Sequence, residues 1–236
     1  MAEPLVLLPG LMGDARVFAP QINSLSRERA VMIAPVTQGE RVEEIASNLI
    51  DQLPQRFALA GLGLGGIVAM EILRRVPDRV ARLCLMGTNP LAETPAEAAA
   101  REPLIVRARA GRLEDVMREA LPPEALAPGP GRMAVLGQIA SMAADLGPEV
   151  FVRQSRALQR RRDQQSTLRK FKVPTLILCG AHDRLAPVKR HSFMAELMQQ
   201  AWLEVIEEAG HLPPLEAPEA TTAALRHWLQ APRPGL

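Results

Sequence analysis

Hydrophobic positions in the first ninety residues alternate between two patterns. Leu5-Val6-Leu7-Leu8 is a continuous apolar run, the signature of a strand buried on both faces. Asp14 then stands where a helix cap is wanted, and Val17, Phe18, Ile22 and Leu25 fall on one helical face, which predicts a helix to about Arg27. Val31-Met32-Ile33-Ala34 reads as the next strand. Val42, Ile45, Ala46, Leu49, Ile50 and Leu53 form a second amphipathic stretch, stopped by Pro54. Phe57-Ala58-Leu59-Ala60 is a third strand. It runs into Gly61-Leu62-Gly63-Leu64-Gly65-Gly66 and a helical stretch that ends at Val76, before Pro77. Val80 to Met86 is the fourth strand.

The rhythm breaks at Asn89-Pro90. Residues 91–172 are helical in pattern and rich in Ala, Arg and Glu, with turns at Leu121-Pro122-Pro123 and at Pro128-Gly129-Pro130-Gly131. Thr175-Leu176-Ile177-Leu178-Cys179 resumes the strands. A helix over 188–200, a strand over 203–206 and a last helix from about Pro218 to Leu229 come after it, with a fraying tail at 231–235. Alternating strands and helices predict an α/β fold: a mostly parallel sheet with helices on both faces, joined by right-handed crossovers. The domain division is a core of residues 1–90 and 173–236 with an all-helical insertion, 91–172. In such sheets ligands bind beyond the carboxyl ends of the strands, which directs attention to the residues just after each one.

Composition narrows the function classes. The formal net charge is +2, which gives no reason to expect nucleic acid as a partner. The insertion alone is more basic, with fourteen Arg and Lys against ten Asp and Glu and its densest cluster at Arg160-Arg161-Arg162. That excess reads either as a solvated helix face or as an attractor for a carboxylate-bearing substrate. The two cysteines, Cys84 and Cys179, lie inside apolar strands, where buried free thiols of a reducing compartment are expected. No basic start precedes a long apolar segment and no apolar run reaches membrane-spanning length, so a cytoplasmic protein without membrane or metal is expected.

The strand ends carry the chemistry. Pro9-Gly10-Leu11-Met12-Gly13-Asp14 comes after the first strand, and Gly180-Ala181-His182-Asp183 and Glu208-Ala209-Gly210-His211 come after the fifth and sixth. A strand, a glycine turn and a helix at 57–76 form the context of the G-x-S-x-G nucleophile elbow, but its centre is Gly63. With Gly66 as third glycine the same turn matches a dinucleotide fingerprint. That competitor fails on context: the next strand, Arg82 to Gly87, ends on no acidic residue, and Asp183 and His211 would go unexplained.

The order elbow, insertion, acid, histidine resembles the α/β-hydrolase superfamily, in its small cap-bearing bacterial esterase and lactonase branch. The resemblance covers essentially the whole chain. It implies a six-stranded sheet lacking the family's first two strands. It places the acid at Asp183, the base at His211, the nucleophile position at Gly63 and the oxyanion donors at the N–H groups of Leu11 and Leu64, with Gly61 and Gly65 as the elbow glycines and Gly66 easing a close approach. It implies no cofactor and a small ester, lactone or other acyl compound as substrate. The chemistry explains the residue types: a hydroxyl needs a base to take its proton, the imidazole needs a carboxylate to fix its tautomer, and the oxyanion needs preset donors.

Three departures stand out. Gly63 replaces the serine, Pro9 stands where many members have histidine, and Gly87 stands where many have aspartate. They leave three readings: a serine hydrolase with its nucleophile replaced, an enzyme working through the His211–Asp183 dyad alone as general base, or a ligand-binding protein on a hydrolase scaffold. His182, His191 and His227 are read as loop or packing residues.

Overall fold

The computed structural model describes residues 3–232; most of the C-terminal tail expected to fray lies outside them. Six strands form one parallel sheet: β1 (Leu5–Leu8), β2 (Val31–Ile33), β3 (Phe57–Leu62), β4 (Val80–Met86), β5 (Thr175–Gly180) and β6 (Ala201–Ile206), in the order β2-β1-β3-β4-β5-β6. Leu8 pairs with Gly61, Leu62 with Met86, and Gly180 with Ile206, so the carboxyl ends of β1, β3, β4, β5 and β6 line one edge. The chain runs outward from β1 to β2 and then crosses back to β3. Strand order therefore reverses between β1 and β3, the place where a crevice opens in a sheet of this kind.

Helices cover both faces. In the first half these are α1 (Ala19–Leu25), α2 (Val42–Ile50) and α3 (Leu64–Arg75). The segment predicted as one helix from Asp14 is two pieces: a 3-10 turn, Ala15–Phe18, capped by the Asp14 side chain, and then α1 with Pro20 in its first turn. Pro20 suits that position because its missing N–H is not needed there. Between β4 and β5 lie α4 (Pro95–Arg109), α5 (Leu113–Ala120), α6 (Arg132–Leu146), α7 (Pro148–Gln159) and α8 (Gln165–Lys170). The final part holds α9 (Val188–Leu197), the short α10 (Pro213–Glu216) and α11 (Pro218–Gln230). No described helix is long and apolar enough to cross a membrane.

Side-chain alternation along the strands splits the apolar interior in two. Leu5 and Leu7 face one cluster with Phe18, Met86 and Trp228; Val6 and Leu8 face the other with Phe57, Leu59, Val68 and Ile72. The inserted helices join both: Ala108, Val116 and Phe151 enter the first, Ala157, Leu158 and Leu168 the second. Cys84 and Cys179 are buried and unpaired as expected. Burial pushes the Cys179 thiol up to about 12, with the Asp183 charge adding to it, and raises Cys84 well above the usual thiol range, so neither is a thiolate at neutral pH.

The basic cluster resolves as intramolecular pairing. Arg160 and Arg162 reach Glu40 and Glu43 on the core, at 3.3 Å and 2.7 Å, and Arg161 donates to the Leu91 carbonyl at 2.9 Å beside Glu93. Arg160 and Arg162 thus tie the segment between β4 and β5 to α2 and the loop before it, while Arg161 pairs within that segment.

Candidate active site

The crevice at the β1/β3 reversal is built from four loops. β3 passes into α3 through Gly63, whose φ of 53° and ψ of −115° lie where a side chain is strained. Gly61 and Gly65 permit close approach rather than a special angle. A Cβ on Gly61 would strike the Gly65 carbonyl, and one on Gly65 the Leu8 carbonyl. A Cβ on Gly66 would press on the Thr88 side chain at 2.6 Å, so the expected close approach is there too.

The turn is held from both sides. Gly63 N–H donates to the Met86 carbonyl at 2.9 Å, and the Thr88 hydroxyl donates to the Gly63 carbonyl at 2.8 Å. Thr88 N–H in turn donates to Nε2 of the buried His191 at 3.2 Å, and His191 Nδ1 faces the Pro187 carbonyl at 3.3 Å. An accepting Nε2 places the proton on Nδ1, so this imidazole is neutral. Burial holds it below the usual histidine range, against the opposing pull of the Pro187 carbonyl and the Asp183 charge.

Asp183 and His211 meet across the loops after β5 and β6. His211 Nδ1 lies 3.0 Å from Asp183 Oδ2, and the carboxylate is fully buried. The other oxygen, Oδ1, accepts from the N–H groups of Leu185 at 2.9 Å and Ala186 at 2.8 Å. Three donors therefore converge on a carboxylate that also fixes the imidazole tautomer. A Cβ built on Gly63 would lie 3.9 Å from His211 Nε2, 3.8 Å from Gly10 Cα and 3.9 Å from the Gly87 carbonyl. The three sequence positions 63, 183 and 211 thus lie side by side at the strand ends. Gly87, where many relatives carry aspartate, packs against that same imidazole: a Cβ there would lie 3.5 Å from its ring. His182, by contrast, is exposed in its loop.

Leu64 heads α3, where first-turn N–H groups have no intrahelical acceptor. The Leu11 N–H has no acceptor among the described residues. Its neighbour Met12 has a positive φ of 52°, and its N–H is held at 2.9 Å by Oε1 of Gln154 on α7, whose Nε2 donates to the Val36 carbonyl at 3.0 Å. The histidine loop is held in a similar way. Glu216 accepts from Gly210 N–H at 3.0 Å, Leu212 N–H at 2.7 Å and Ala127 N–H of the insertion at 2.7 Å, while His211 N–H donates to the Ala125 carbonyl at 2.8 Å.

Sequence reading finds the three central positions and misses the residues that hold them. Gln154 carries a signal: it is a polar residue among Val150, Phe151, Val152, Ala157 and Leu158 on a helix that buries that face. Thr88 carries none beyond lying near a strand end, and Glu216, at the end of α10, carries none. Among the described residues no three His, Cys, Asp or Glu side chains gather as metal ligands.

The sequence profile of a family described as "Alpha/beta hydrolase family" matches residues 5–225. Among curated relatives, the pimeloyl-[acyl-carrier protein] methyl ester esterase of Aromatoleum aromaticum is 29% identical over 201 residues, 77% of each chain. Among solved structures, a thermophilic esterase from Thermogutta terrifontis with malate bound superposes with a TM-score of 0.89 at 27% identity, covering 98% of this chain and 90% of that one. The enol-lactonase of Burkholderia xenovorans LB400 superposes with a TM-score of 0.86 at 23% identity, over 98% of this chain and 92% of its own, a likeness of fold.

Proposed function

The chain belongs to the alpha/beta hydrolase family, and from that premise we propose that it is built as a carboxylic-ester or lactone hydrolase whose nucleophile position is occupied by Gly63. Residues 91–172 serve as its cap. In the complete form of this chemistry, His211 Nε2 takes the proton of a hydroxyl at position 63 as the oxygen attacks the ester carbon. The negative oxygen sits between the N–H groups of Leu11 and Leu64, and the imidazolium returns the proton to the leaving alcohol. A water then repeats the sequence on the acyl-enzyme. Glycine supplies no hydroxyl, so no acyl-enzyme forms on this chain.

The observation that carries the reading is the 3.9 Å separation between a Cβ at position 63 and His211 Nε2. A hydroxyl one bond further along reaches hydrogen-bond range of an imidazole already oriented by Asp183. Loss of a nucleophile in such machinery costs roughly 10⁶ in turnover, leaving about 10³ over water from binding and the oxyanion donors.

The test is Gly63→Ser. It should confer hydrolysis of p-nitrophenyl acetate and butyrate, lost again on His211→Ala. A correctly folded Gly63→Ser protein inert toward short esters and lactones alike overturns the reading.

One observation favours a second reading. His211 Nε2 has no partner among the described residues, and with Nδ1 held by Asp183 it presents a lone pair toward the turn. A dyad of this kind can activate water directly. That reading requires slow turnover by the unaltered chain that disappears in His211→Ala, with no covalent intermediate trapped by rapid quenching.

A further inference from the structure

Two cavities in the molecule adjoin. The inner one, about 60 Å³, touches Gly10, Leu11 and His211. The outer one, about 340 Å³, lies between α5 and α6. Met117, Leu121 and Ile139 line both, so the wall the two cavities share is apolar. The outer volume falls at the lower end of the roughly 300–1,000 Å³ typical of small-molecule pockets.

Charge decides what the outer cavity accepts. Among the described residues its only charged lining side chains are Glu114 and Arg118, one turn apart on α5, and they pair with each other, with Asp115 a further partner of the arginine at 3.3 Å. A carboxylate entering there would meet no unpaired cation. The remaining wall is apolar. It includes Met133, which leaves 69% of its surface exposed, and a methionine thioether adapts to ligands of varied shape.

We infer that the substrate carries an uncharged, medium-length apolar arm, which passes over Met117, Leu121 and Ile139 and lodges between α5 and α6 while its ester lies at His211. The inference rests on the hydrolase reading above. The shared chemistry is the arm; it belongs either to the acyl group or to the alcohol.

Gly137 provides the test. It lines the outer cavity from the middle of α6, and a Cβ there meets nothing within 4 Å. Gly137 is exposed, so a phenylalanine at that position has room to fold over the cavity, and it also replaces a poor helix former, so the fold is not at stake. In the Gly63→Ser protein, p-nitrophenyl octanoate should exceed the acetate in kcat/KM by about tenfold or more, since a single methylene buried in an apolar pocket is worth roughly that much or more. Adding Gly137→Phe should remove the preference by lowering kcat/KM for the octanoate far more than for the acetate. Octyl acetate against ethyl acetate runs the same comparison for the alcohol side; a Gly137-dependent preference in either series supports the inference and identifies the arm. No chain-length preference in either series, one that survives Gly137→Phe, or a preference for an ester with a terminal carboxylate overturns it.

Acetate hydrolysis reports on the hydrolase reading separately, because acetate has no arm. If Gly63→Ser proves inert, methyl octanoate titrated onto the unaltered chain still decides whether the cavity binds it. A rise in Tm that Gly137→Phe abolishes supports the arm site, and no rise rejects it.

Discussion

Position 63 faces the His211 imidazole across ordinary van der Waals distance, so a side chain there would be strained by its backbone angles and not by crowding. The two effects are separable because no neighbour lies closer than 3.8 Å to a Cβ at that position. Glycine at φ 53° therefore relieves a strain that any L side chain would carry. Gly63→Ser is expected to destabilise the protein by about 1–3 kcal/mol. For a domain of this size that is a fall in Tm of roughly 2–4 °C per kcal/mol, read by thermal denaturation. An unchanged or higher Tm would mean that the turn relaxes to accept the side chain.

Glu216 is the second point of leverage. Its carboxylate accepts three backbone N–H groups, two of them flanking His211. Glu216→Ala should leave those donors unsatisfied and cost about 2–4 kcal/mol, since each orphaned donor costs roughly 1–3 kcal/mol and water satisfies part of the loss. In the Gly63→Ser background it should lower kcat by about tenfold or more with little change in KM, because the base is displaced while the binding walls stay. Glu216→Gln keeps one accepting oxygen and should fall between. Equal loss in kcat and gain in KM would assign Glu216 to the fold alone.

Stability should depend on acid through Glu71. This residue on α3 is fully buried. Burial alone would raise its pKa, but hydrogen bonds from Arg74, Arg75 and Gln164 outweigh that and hold it at about 2, below an ordinary 4.5. A carboxyl depressed in the folded state stabilises that state above its unfolded pKa and loses the contribution as pH falls from about 4.5 toward 2. The shift corresponds to about 3 kcal/mol. Urea denaturation at pH 7 and pH 3 should show a stability loss that is smaller in Glu71→Gln than in the unaltered chain.

Much of the site is legible in the sequence because the fold places its chemistry at strand ends. The apolar runs at 5–8, 57–60, 80–86 and 175–179 locate the strands, and each run gives way to a short loop whose few residues can be weighed one by one. The six strands come from that pattern, while the grouping of positions 63, 183 and 211 is what the resemblance to the α/β-hydrolases implies. Local boundaries are less legible. β6 begins two residues before its apolar stretch because Ala201 and Trp202 pair with β5, and the helix predicted from Asp14 divides into a 3-10 turn and α1. The supports are the least legible. A glutamate that accepts backbone N–H groups leaves no periodic trace, and its value depends on loops that the chain order keeps far apart.

The segment between β4 and β5 is bonded into the loops around positions 11 and 211. Gln154 steadies the backbone beside Leu11, and Ala125 and Ala127 take part in the hydrogen bonds around His211. That segment is consequently not a separable module in this architecture. A transplant of the helical segment from a related enzyme, made to import a different taste in esters, would carry away two struts of the machinery below unless the donor supplies the same amide and the same pair of main-chain partners.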